Sequence, residues 1–83
     1  DSNGLEGDAG VDLRNGNYGL IEIKLGGETL IEEGAKTLLQ LSERLDTTRM
    51  KAPSFLMVLT ATGAYAYQRK DSVLVVPISC LKD

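Results

Sequence analysis

Two ionisable residues, Glu22 and Lys24, interrupt the otherwise apolar run Tyr18-Gly-Leu-Ile-Glu-Ile-Lys-Leu25. Side chains alternate across a strand, so an acid and a base two positions apart project from one face. Ile21, Ile23 and Leu25 then point the other way, toward a core. Such a pair is either a cross-strand charge pair or part of a metal-dependent hydrolytic site. Metal-assisted phosphodiester cleavage needs oxygen ligands on Mg²⁺ or Mn²⁺ and a group that orients the attacking water or offsets transition-state charge. Asp8 and Glu22 are the candidate carboxylates, the backbone carbonyl of Ile23 the third ligand, and Lys24 the remaining group. The metal would serve chemistry only, with no cofactor required for folding.

Whether Asp8 meets Glu22 depends on the turn Arg14-Asn15-Gly16 between their strands. A two-residue Asn15-Gly16 turn, favoured by local propensity, sets Glu22 opposite Ala9 and sends Asp8 to the other face. A three-residue loop with Gly16 in the left-handed position sets Asp8 opposite Glu22 and Glu6 opposite Lys24. The site exists only in the second register.

The elements that must hold these residues follow from the hydrophobic period. Leu5 to Leu13 reads as a strand with Glu6, Asp8 and Asp12 on one face, weakened by Gly7 and Gly10, which hint at a bulge. After Gly26-Gly27 the period lengthens: Leu30, Ile31, Ala35, Leu38, Leu39, Ser42 and Leu45 make the apolar stripe of a helix from about Thr29 to about Leu45. Thr29 and Glu32 have the spacing of a capping box. Gly34 inside the helix costs roughly 1 kcal/mol against Ala, tolerable where the helix packs closely on a sheet. Phe55 to Leu59 reads as a central strand covered on both faces. Ala64 to Gln68 alternates as a further strand, and Val73 to Val76 as the last, closed by Pro77. The expected fold class is α/β (α+β), in the order β-β-α-β-β-β, with the strands flanking the helix parallel through a right-handed crossover.

In these pieces the chain resembles the PD-(D/E)XK superfamily of nuclease-like folds. The signature is an acid on one strand and acid, any residue, lysine on the next: here Asp8, thirteen intervening residues, then Glu22-Ile23-Lys24. More specifically, the chain looks like the C-terminal domain of unknown function fused to prokaryotic AAA-type ATPases. The matching runs are Gly4-Leu-Glu-Gly-Asp8, Gly19-Leu-Ile-Glu-Ile-Lys-Leu-Gly-Gly27, Ile31-Glu-Glu-Gly-Ala-Lys-Thr-Leu38, Ser54-Phe-Leu-Met-Val-Leu59 and Val75-Val-Pro-Ile78. The resemblance implies a truncated restriction-endonuclease-like mixed sheet, with Asp8 and Glu22 on the metal, Lys24 serving catalysis and Glu6 as an accessory acid. Asp12 is a weaker substitute for Asp8. Lys36 and Gln40 are similar to helix residues that some nucleases of this fold aim at the centre; ordinary helix patterning reads them as solvated face.

The superfamily core begins with a helix and a strand ahead of the Glu6 position. Without them the strand carrying Asp8 is an open edge, which recruits another chain, so a homo-oligomer is expected. The chain opens at Asp1 without an initiator Met, and residues 1–83 are read as one domain excised from the C-terminal part of a larger protein. A formal charge of −3 argues against coating of nucleic acid by bulk positive charge, so any DNA or RNA contact is local or supplied by other parts of a longer protein. The absence of histidine and the single Cys80 exclude a zinc site of usual spacing and an intrachain disulfide, which fits the cytoplasm. No apolar run is long enough to span a membrane. No Walker-type phosphate loop occurs, so ATP hydrolysis does not belong to these residues. Three functions stay open: a Mg²⁺-dependent nuclease, a non-catalytic nucleic-acid or protein docking module, and an oligomerisation piece.

Overall fold

The structure, a computed structural model, describes residues 7–12, 16–46 and 51–81, and for residues 7–12 and 46 the backbone alone. In chain order the elements are β1 (Gly7–Asp12), β2 (Tyr18–Lys24), α1 (Glu28–Asp46), β3 (Phe55–Thr60), β4 (Tyr67–Gln68), β5 (Leu74–Pro77) and a 3₁₀ turn, Ile78–Leu81. They form one mixed sheet in the order β1-β2-β3-β5-β4. β1 and β4 are antiparallel to their neighbours, whereas β2, β3 and β5 run parallel. The α+β class and the element order are those expected from the hydrophobic period.

The β1–β2 pairing takes the register of the three-residue loop. Asp8 is the partner of Glu22 and Asp12 of Tyr18. Gly16 has φ +78°, the left-handed conformation that this loop demands of its third residue and that glycine adopts without a Cβ penalty. Gly7 to Asp12 pair one-to-one with β2, so the glycines make no bulge. Among the described strands, β1 lies at a sheet edge.

Helix α1 begins one residue before its expected start. Leu30 N–H and Ile31 N–H both donate to the Gly27 carbonyl, at 3.0 and 3.2 Å, so Gly27 caps the helix in place of a Thr29–Glu32 box. The apolar stripe packs as expected, with Ala35 and Leu38 fully buried, except that Leu39 is exposed. At Gly34 the helix comes down onto the sheet: a Cβ there would stand 3.1 Å from Lys24 Cγ and 3.3 Å from Glu22 Cγ and Val58 Cγ2. The helix-interior glycine therefore exchanges propensity for close approach, as the sequence required.

The same contact reverses the expected facing of β2. Glu22 and Lys24 lie on the helix-covered face, with Leu20, Leu56 and Val58, while Ile21 and Ile23 take the opposite face and are only half-buried. The core is the cluster Ala35, Leu38, Val58 and Val73 between α1 and the sheet, with Leu20 and Leu56 packed against it. α1 is the one α-helix among the described residues and packs on β2 and β3, so among the described residues no helix covers the other face of β3. Met57 and Leu59 are accordingly half-buried where Val58 and Thr60 are buried.

The expected strand Ala64 to Gln68 shrinks to Tyr67 and Gln68, which pair with Val75 and Leu74. Its return turn is held by Arg69, whose Nε lies 3.2 Å from both carboxylate oxygens of Asp71 and whose N–H donates to Val73 O at 2.9 Å. Ser72 occupies the left-handed position at φ +75°. At the other end of the sheet, Tyr18 OH donates to the Lys51 carbonyl, Lys51 Nζ donates to Asn17 Oδ1 at 3.1 Å, and Ser54 N–H donates to Tyr18 O at 2.7 Å. These bonds tie the start of β2 to the segment entering β3.

Candidate metal and phosphate site

β2 delivers Glu22 and Lys24 to one face by the alternation of the strand, and α1 then closes over them. Glu22 is 5% exposed. Its Oε2 lies 3.6 Å from Lys24 Nζ, and its Oε1 is buried with no hydrogen-bond partner among the described residues. A buried carboxylate oxygen left unpaired costs stability unless something else satisfies it. Lys24 Nζ is also 3.8 Å from Glu33 Oε1, so the ammonium stands between a buried carboxylate and a largely exposed one. The parallel partner of Lys24 in β3 is Thr60, itself buried, whose hydroxyl donates to the Thr62 carbonyl at 2.8 Å.

Of the residues expected at the site, Asp8 is the direct cross-strand partner of Glu22, the position from which antiparallel residues share a face. Ile23 stands opposite Gly7 in β1 and Leu59 in β3. Asp12 stands opposite Tyr18, four positions along the strand from Asp8, and so belongs to the other end of the pairing. Glu6 lies outside the described residues. Lys36 and Gln40 are exposed and line a groove with Arg69 and Asp71, away from Glu22, so they belong to the polar surface that ordinary patterning assigns them.

Glu33 is the residue that the sequence did not point to. Its signal lies next door, since a glycine that brings the helix onto the sheet also brings its neighbours to whatever the sheet carries. Among the described residues no group of three or more Asp, Glu, His or Cys side chains converges on one point. The groups present at this position, the Glu22 carboxylate and backbone carbonyls, offer oxygen donors alone, the chemistry that Mg²⁺ or Mn²⁺ takes. Among the described residues, the Oε1 of Glu22 is buried and unpaired, a position that an added cation would satisfy.

Among the described residues no helix is long and apolar enough to cross a membrane. Compared with known proteins, the chain matches no family model, no curated protein and no solved structure.

Proposed function

We propose that the chain is a nuclease-like domain of the PD-(D/E)XK type, acting on DNA at the Asp8–Glu22–Lys24 site with Mg²⁺ or Mn²⁺. The observation that supports this reading is the buried Oε1 of Glu22, unpartnered among the described residues, in a residue paired with Asp8 and beside an ammonium. A charge is placed there at a cost to folding, as groups kept for chemistry are. When bound, the ion supplies an activated water and offsets phosphate charge. Glu22 and Asp8 would hold the cation through carboxylate oxygens, with the Ile23 carbonyl as a third protein ligand. Lys24 places a positive charge 3.6 Å from Glu22, where it binds a phosphate oxygen and steadies the developing negative charge. In this reading the chain is the C-terminal part of a larger cytoplasmic ATPase, whose motor belongs to other residues.

Thermal unfolding with increasing Mn²⁺ tests the site. Wild type gains about 2.7 kcal/mol at a hundredfold excess over Kd, and Glu22→Ala gains nothing. Divalent-metal-dependent cleavage of DNA disappears in Lys24→Ala. Identical Mn²⁺ curves for wild type and Glu22→Ala remove the metal site.

A second reading, a docking or oligomerisation module on the same fold, is favoured by the edge position of β1 and by the uncovered apolar face of the sheet. An edge strand offers unpaired backbone groups to a second copy. Under this reading DNA binding survives EDTA, and light scattering reports a mass that rises with concentration. A strict monomer opposes association.

A further inference from the structure

Beyond the Glu22 site, the ends of the three parallel strands border an open cavity. Gly26 and Gly27 follow β2, Thr62 and Gly63 follow β3, and Pro77 ends β5; together with Tyr65, Tyr67 and Glu28 they enclose about 280 Å³. The crevice beyond the carboxyl ends of parallel strands is where open α/β sheets take ligands. Two aromatic rings and one charge define its chemistry. Tyr65 is 70% exposed and Tyr67 40%. Their centroids are 6.3 Å apart and their planes inclined at 67°, so the two rings form a corner. Large aromatic side chains left this open on an 83-residue chain gain nothing for the core.

Among the described residues, Glu28 is the single formally charged one lining the cavity. Standing in the first turn of α1, it also opposes the positive end of the helix. A full negative charge against roughly half a positive one leaves the mouth net negative. Arg69, which borders Glu28 and Tyr67 from the neighbouring cleft, is engaged by Asp71 at 3.2 Å. An anion is therefore disfavoured. Tyrosine faces beside a carboxylate attract an ammonium group, through the ring quadrupole and the charge together.

We propose that the Tyr65–Tyr67–Glu28 cavity binds an alkylammonium group, free or carried on a lysine side chain. Both sources share the chemistry, and two probes separate them: tetramethylammonium chloride, and a glycine-flanked peptide with one central lysine. The ring proton resonances of Tyr65 and Tyr67 are followed by NMR in the 83-residue chain, with sodium chloride at matched ionic strength as reference. Saturable shifts with either probe are expected, and the probe that saturates at lower concentration names the source. Tyr65→Leu weakens binding about threefold to fivefold, the size of a solvent-exposed cation–π contact, and Glu28→Gln weakens it by a similar factor. Both positions are exposed, so the variants fold, which unchanged amide spectra elsewhere verify. Shifts equal to those in sodium chloride, or midpoints unmoved by both substitutions, overturn the proposal. Neither outcome bears on the Mn²⁺ response of Glu22.

Discussion

The two faces of the sheet differ in a way that composition alone would invert. The face under α1 carries Glu22, Lys24 and Thr60 among its apolar residues, yet it holds the fully buried core. The opposite face presents Ile21, Ile23, Met57, Leu59, Leu74 and Val76, entirely apolar in these positions, and is only half-buried. Hydrophobicity says that a face should be covered, but coverage is decided by where the one described helix can land. Gly34 and Ala35 let α1 land on the face with the charges. The apolar face is then the one that lacks a covering helix among the described residues, although parallel strands are ordinarily covered on both sides.

The largest effect that sharpens this contrast is Leu38→Ala, which opens a cavity under α1 and costs about 2–5 kcal/mol in urea unfolding. Gly34→Val is expected to rank next. Its methyl groups would meet Lys24, Glu22 and Val58 at contacts already near 3.1–3.3 Å for a bare Cβ, so overpacking costs about 1–3 kcal/mol and the Mn²⁺ response weakens with it. Leu59→Ala, the same chemistry as Leu38→Ala but on the uncovered face, costs only about 1 kcal/mol because a half-buried side chain loses less contact. Equal losses at Leu38 and Leu59 would break the comparison, and would mean that the second face is covered in solution.

Glu22→Gln removes the buried charge without removing volume. In metal-free buffer its stability stays within about 1 kcal/mol of wild type, because the lost ion pair is offset by the lost desolvation penalty. A fall well beyond that would make Glu22 a structural partner of Lys24 and argue against a role held for a cation. Smallest is Ser72→Gly in the β4–β5 turn, where Ser72 is exposed. It relieves a left-handed conformation disfavoured for serine and raises stability by about 0.5–1 kcal/mol in the same urea measurement.

Element types were readable because each rests on local period: the stripe through Ala35 and Leu38 for the helix, and the apolar runs at β2, β3 and β5 for the strands. The pair Glu22 and Lys24 was readable for the same reason, since alternation on a strand is a property of the backbone. Three features were not legible. The short β4 depends on pairing with β5, and the cap at Gly27 on which carbonyl the first helical N–H groups find. Glu33 approaches Lys24 only because α1 is set down at Gly34. Each of these is a contact between segments distant in sequence or a choice between competing hydrogen bonds.

By itself, then, the sequence determined the α+β class, the order of the elements and the common facing of Glu22 and Lys24, all consequences of residue period and of where glycine can turn a chain. Tertiary structure decided the rest. It chose the register that sets Asp8 opposite Glu22, against the local preference of Asn15-Gly16, and it placed α1 on the charged face and left Ile21 and Ile23 half-buried on the other. A strand's two faces are equivalent to its own backbone, and only packing against another element tells them apart.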